Sequence, residues 1–215
     1  MIEITNTETS GWEAAIRGAR NPMNSWDKSD THWVYHDDGR DPEYVIGDND
    51  LALMKKLVAA GSDHSKFTRM INVTADIKAP LYWIAEFDTY KVGTVKNSCS
   101  FMHKGTSKPF SIDDFSTCGN TGVIWDLVLN TLNHLRDLYL DTKDDTIFQK
   151  IRCLLPCGYN QKFTVQLNYA VLRNIYHARK NHRLNEWRDF CHWIETLPYA
   201  NELIIGDDET EREKI

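Results

Sequence analysis

Residues Asp76–Lys104 read DIKAPLYWIAEFDTYKVGTVKNSCSFMHK. Pro80 sits where a helix would begin, a position at which its missing N–H costs nothing. Leu81, Ile84, Ala85 and Phe87 then recur at close to helical spacing, which predicts one buried face. Glu86, Asp88, Tyr90 and Lys91 crowd polar groups onto the same short segment, and Gly93 ends the pattern. Thr94–Ser100 follows as a run of small polar side chains with little to bury. Read as a loop, it offers hydroxyls and backbone N–H groups to a phosphate. The plainer reading is a solvated helix–loop connection.

Working outward, Phe67–Ile77 alternates apolar with polar residues and predicts a half-buried strand running straight into this stretch, with Arg69 out of step on the apolar side. Ile2–Thr5 reads as a short edge strand, and Trp12–Arg20 as a helix capped by Ser10 and stopped before Pro22. His32 and His36 would share a face only on a helix, and their aromatic and β-branched neighbours argue against one and against a metal site. Asp37–Pro42 is a turn and Tyr44–Ile46 a strand. A helix over Asp50–Ala60, capped by Asp48 or Asn49, stops at Gly61. Lys104–Gly122 reads as a long loop. Val123–Leu140 carries an apolar stripe on the clearest helical pattern, suited to a core or a subunit interface. Helices over Asp144–Leu155, Ala170–Lys180 and Leu184–Leu197 and a strand around Phe163, Val165 and Leu167 complete the chain, which ends in a charged tail.

This mixed order of strands and helices predicts an α+β fold. The 215 residues suffice for one well-buried domain, expected over 1–205 with a tail at 206–215. A net charge of -6 argues against a binder of nucleic-acid polymers, although a single nucleotide needs only two or three local cations. Five cysteines (Cys99, Cys118, Cys153, Cys157 and Cys191) without a CxxC match neither a secreted disulfide framework nor a structural zinc site. No signal peptide or long apolar span is visible, so a cytoplasmic protein without membrane contact is expected.

Two stretches resemble the flavin-dependent thymidylate synthases. In the first, Asp63-His64, the strand and Lys78-Ala79-Pro80 stand in the order of that family's Gly-His pair, strand and helix start. In the second, Arg152, Leu155-Pro156, Asn168, Arg179 and Asn185-Glu186-Trp187 follow the order of its Arg, Leu-Pro, Asn-ended strand, helical Arg and Trp-containing segment. The likeness reaches over much of residues 63–200. The chain departs from the pattern at three places. Thr89-Tyr90-Lys91 stands for the family's Arg-His-Arg, Cys99 for its Ser, and Ala170 for the Arg of its Asn-x-Arg pair after the strand.

The resemblance implies a central β-sheet flanked by helices, a deoxyuridine monophosphate (dUMP)-like substrate, FAD, methylenetetrahydrofolate and NADPH, and a homotetramer with sites shared between subunits. It implies that Arg152, Ser98, Cys99 and Ser100 hold the nucleotide and that Arg179 polarises the pyrimidine, work suited to a planar guanidinium fork. It likewise implies that His64, Tyr90, Lys91 and Asn168 lie toward the flavin, with Lys91 also near the reacting groups. His64 reads equally well as a structural histidine, and Arg152 and Arg179 as salt-bridge partners. Two alternatives stay open. Cys99, with a nearby cation such as Lys91 or Arg179, would attack carbon 6 of a pyrimidine. Or the chain binds a nucleotide without catalysis.

Overall fold

A computed structural model describes residues 2–117, 119 and 122–206. Four strands form the main sheet: β1 (Glu3–Ser10), β4 (Asn72–Pro80), β5 (Val95–Ser98) and β6 (Asn160–Asn168), in the order β1-β4-β6-β5. The sheet is antiparallel and flanked by helices, the expected α+β architecture. Alternation explains its two central strands. Val73, Ala75, Ile77 and Ala79 of β4 and Phe163, Val165 and Leu167 of β6 are buried, while the intervening residues are not. A separate hairpin pairs β2 (His32–Val34) with β3 (Glu43–Val45) in antiparallel register, Trp33 opposite Tyr44. His32 therefore lies on a strand and not on a helix shared with His36.

The described residues divide into two compact units. The first holds α3 (Leu81–Phe87), α4 (Phe101–Lys104), α5 (Gly122–Thr142) and α6 (Asp145–Leu154). Phe110, Phe115, Leu132 and Ile151 form its buried cluster, so the segment between α4 and α5, read from the sequence as a loop, contributes two core aromatics. Pro80 precedes α3, and the first two helical N–H groups, of Leu81 and Tyr82, donate to the carbonyls of Tyr159 and Cys157.

The second unit holds α1 (Trp12–Arg20), α2 (Asp48–Ala59), α7 (Tyr169–Arg179) and α8 (Asn185–Glu195), with a π-helical turn at Asn201–Ile205. Here the expected helix caps differ. Ser10 belongs to β1, so Gly11 takes the N-cap position of α1 with no side-chain cap. At α2 the N-cap is Gly47, and the capping carboxylate comes from Asp30, which accepts from the N–H groups of Asn49 and Asp50 at 2.9 and 3.1 Å. A Cβ on Gly47 would lie 2.2 Å from that carboxylate carbon, so only glycine admits it. Phe67–Ile71 is not strand. Lys66–Met70 forms a 3₁₀ turn, which removes the misfit of Arg69, and β4 starts at Asn72. The charged tail expected from residue 206 lies, beyond Gly206, outside the described residues.

Asp50 and Arg20, 1% and 4% exposed, form a buried ion pair between α2 and α1, Nε to Oδ1 at 2.5 Å. The other carboxylate oxygen accepts from Ser29 Oγ and Thr31 Oγ1, both at 2.7 Å, and from the N–H groups of Asp30 and Thr31. Burial raises the Asp50 pKa, but these hydrogen bonds and the guanidinium charge outweigh it and hold the carboxyl below its usual range.

Candidate functional site

Thr94–Ser100 is not the expected loop throughout. Val95–Ser98 is strand β5, laid beside β6, and only Cys99 and Ser100 leave the sheet before α4 begins. Cys99 is fixed through its backbone on both sides. Its N–H donates to the carbonyl of Lys162 at 2.8 Å, and its carbonyl accepts from Gln161 Nε2 at 2.8 Å. The side chain, freed from holding the backbone, is exposed. Lys96 braces β5 from the side by pairing with Asp88 and lying 5.2 Å over the Phe163 ring.

Cys99 and Ser100 open onto a cavity of about 150 Å³ lined also by Phe101, Lys104, Gly105, Tyr159, Asn160, Gln161 and Lys162. Phe101 meets the Tyr159 ring edge-on at 5.5 Å, giving the cavity an aromatic wall. Burial first, then the charges of Asp114 and Cys99, push the Tyr159 phenol up, so it remains a neutral donor at neutral pH. Two lysines, two amides, two hydroxyls and a thiol around so small a space suit a phosphate or another compact anion. Lys162 is also engaged with Asp76, 3.6 Å away. Hydrogen bonds from Thr164 at 2.5 Å and Asn6 at 2.9 Å hold the Asp76 carboxyl below its usual pKa.

Of the nucleotide-site candidates, Ser98, Cys99, Ser100 and Arg152 fall in the first unit. Arg152, exposed on α6, points Nη1 at Met102 Sδ, 3.5 Å away and two residues beyond Ser100. Tyr90 also belongs to this unit, whereas Lys91, His64, Asn168 and Arg179 belong to the second. Asn168 caps α7, its Oδ1 accepting from Val171 N–H at 3.1 Å. Its amide nitrogen faces Gly93. A Cβ there would lie 2.9 Å from that nitrogen, and the backbone is at φ +77, so the turn after Lys91 needs glycine twice over. His64 is exposed in the turn after α2, its N–H bonded to the Gly61 carbonyl.

Arg179 ends α7 and lies 4.7 Å over the ring of the fully buried Trp187. Arg188 fixes the intervening turn by donating to the carbonyls of His182 and Arg183 and to Asn185. A guanidinium held over an indole is oriented before any ligand arrives. Sequence reading missed Lys104, Tyr159, Gln161 and Lys162. The available signal was that Gln161 and Lys162 begin β6, the strand that β5 must meet. Among the described residues no group of three His, Cys, Asp or Glu side chains is placed to hold a metal, and no helix is long and apolar enough to cross a membrane.

No protein-family model matches the chain, and no curated protein matches it in sequence. Solved structures do match it in fold. A flavin-dependent thymidylate synthase, ThyX, of Helicobacter pylori, solved with FAD and dUMP, superimposes with a TM-score of 0.68 at 16% identity over 94% of this chain and 97% of that one. A second structure of the Helicobacter pylori ThyX with FAD and dUMP gives 0.68 at 14% identity over 98% and 99%. A UMP/dUMP methylase, PolB, of Streptomyces cacaoi, bound with 5-Br dUMP, gives 0.59 at 15% identity over 91% and 88%. The chain has the fold of these proteins essentially from end to end.

Proposed function

We propose that this chain is a flavin-dependent thymidylate synthase-like enzyme that moves a one-carbon unit from methylenetetrahydrofolate to carbon 5 of dUMP, giving dTMP, with NADPH as reductant. The observation that carries the reading is the fold shared over more than nine-tenths of both chains with a protein solved with FAD and dUMP. The cavity at Cys99 and Ser100 agrees with it, since it offers hydroxyl, amide and ammonium donors to a compact anion.

In this reading Ser98, Cys99, Ser100 and Arg152 hold the nucleotide phosphate. Arg179, pre-oriented on Trp187, donates to a pyrimidine carbonyl and stabilises the charge that gathers there as carbon 5 reacts. FAD, when bound and reduced, supplies the hydride. Lys91 and Tyr90 fit such a group as one ammonium for its pyrophosphate and one ring for stacking, and exposed His64 adds a donor. Asn168 has spent its carbonyl on capping α7 and keeps only its amide nitrogen. So thin a donor set predicts that flavin binds weakly and is partly lost on purification. The active form is a homotetramer, and the outer face of α5, where Val123, Ile124 and Leu127 are 75%, 73% and 64% exposed, is suited to a subunit contact.

An absorption spectrum of fresh protein with and without added FAD, followed by dUMP-dependent reoxidation of the reduced flavin, tests the reading. Protein that takes up no flavin at millimolar FAD and fails to rescue a thymidine auxotroph would rule it out. A second reading is favoured by the exposed thiol of Cys99 at the cavity mouth and by the fold shared with a UMP/dUMP methylase. There Cys99 adds to carbon 6 and is released after carbon 5 is modified. Cys99→Ser spares turnover in the first reading and abolishes it in the second.

A further inference from the structure

A second concave site lies in the other unit, and none of its lining residues belongs to the candidate nucleotide or flavin set. It is a cleft of about 430 Å³ bordered by Lys55, Lys56, Val58 and Ala59 of α2, Arg173 of α7, and Asn201, Glu202 and Gly206 of the π-helical turn and its end. On a chain of net charge -6, three cations on one cleft against a single carboxylate make a local positive field. Among the described residues neither Lys55 nor Lys56 forms an ion pair, and both side chains are exposed.

Arg173 is held in place, its Nη1 donating to the Ile204 carbonyl at 2.6 Å. His177, one turn further along α7, meets the same carbonyl at 3.1 Å. The carbonyl that collects both donors belongs to a π-helical turn, a backbone form found frequently at functional sites. The guanidinium is thus a fixed wall of the cleft, whereas the two lysines are adjustable point charges on flexible stems.

We propose that this cleft is a second anion site that takes a phosphate chain, of the di- or triphosphate class, with Lys55 and Lys56 as the mobile clamps and Arg173 as the fixed one. Its volume is nearly three times that of the Cys99 cavity, so it admits several linked phosphates where the other admits one. Successive phosphates present charge at intervals that separate ammonium groups can follow. Glu202, the one carboxylate on the lining, is outnumbered by the three cations.

The test is calorimetric titration of the full-length protein with inorganic tripolyphosphate, pyrophosphate, orthophosphate and citrate. Tripolyphosphate is expected to bind one-to-one, more tightly than orthophosphate, and to weaken as salt rises. Lys55→Ala/Lys56→Ala should reduce its affinity tenfold or more, about 1.4 kcal/mol per tenfold, with circular dichroism unchanged. Saturating dUMP should not displace it, which keeps this outcome separate from the fate of the nucleotide site. Four results would overturn the proposal: no heat at millimolar tripolyphosphate, unchanged affinity in the double variant, displacement by dUMP, or citrate binding as tightly as tripolyphosphate.

Discussion

Replacing Asp50 with alanine should be among the most damaging single changes to this fold. The substitution deletes the partner of Arg20 Nε at 2.5 Å and four further donors' acceptor, those of Ser29, Asp30 and the two of Thr31. Arg20 keeps one bond, from Nη1 to the Ser25 carbonyl at 3.2 Å, and stays buried with its charge uncompensated. Breaking a buried pair from one side costs about 3–5 kcal/mol. Ser29 and Thr31 add less, because their loop lies near solvent and water can replace the carboxylate. Against a total stability of about 5–15 kcal/mol, the loss lowers the urea midpoint markedly. At about 2–4 °C per kcal/mol for a chain of this size, Tm falls by roughly 6–20 °C. Arg20→Met/Asp50→Ala leaves no buried charge, so it should cost less than the two single changes together, with a coupling of about 0.5–3 kcal/mol. An Asp50→Ala protein within about 1 kcal/mol of the parent, or a double variant with strictly additive loss, would refute the reasoning and mean that water reaches the pair.

The remaining expectations concern pH, ligand binding and assembly. The folded Asp50 carboxyl titrates below its unfolded value, so its stabilisation is complete above the unfolded pKa of about 3.9 and disappears as pH falls through the folded one. Asp50→Asn should accordingly flatten the acid limb of a pH-stability curve, and an unaltered limb would assign that limb to other carboxylates. Arg179→Ala should weaken dUMP binding by about 2 kcal/mol or more in calorimetry with circular dichroism unchanged, and unchanged affinity would remove Arg179 from the site. Lys91→Ala should weaken FAD further in a fluorescence titration; a stoichiometric flavin that survives dialysis and ignores the change would show that the flavin lies elsewhere. Ile124→Asp/Leu127→Asp, placed on the exposed face of α5, should lower the oligomeric state seen by light scattering without unfolding the subunit, and a variant that stays assembled would point to a different contact.

How much of this was legible from sequence depended on whether the deciding partner lay nearby in the chain. Strands β4 and β6 announced themselves by alternation, because each buries one face and exposes the other. The helices of the second half followed the same logic at a different period. Caps did not. Asp30 caps a helix that starts many residues later, and α3 is capped by backbone carbonyls of Cys157 and Tyr159, so no local motif could reveal either. The strand expected from Phe67 began late because Phe67 and Thr68, though buried, lie in a 3₁₀ turn, and burial alone does not identify the backbone form.

Strand β5 shows why the candidate site was only half readable. Its residues, Val95-Lys96-Asn97-Ser98, lack the apolar alternation of a strand because it is an edge strand with little to bury, and edges are commonly polar and charged. What makes it a strand is β6, more than sixty residues further on. That pairing also builds the cavity: Cys99 docks its backbone on Gln161 and Lys162, and so brings Lys162 and Lys104 to one space. From sequence, Cys99 and Ser100 stood out because they sit in the family's nucleotide-loop position, while Lys162 looked like any solvated residue on the polar face of a strand. The two lysines on this cavity are therefore cations that a motif comparison could not register. If the reading of the site is right, Lys162→Ala should weaken dUMP binding at least as much as Arg152→Ala. The former lysine lies on the cavity wall, whereas Arg152 reaches only as far as Met102. Equal affinity for dUMP in the parent and in Lys162→Ala would mean that the phosphate sits outside this cavity.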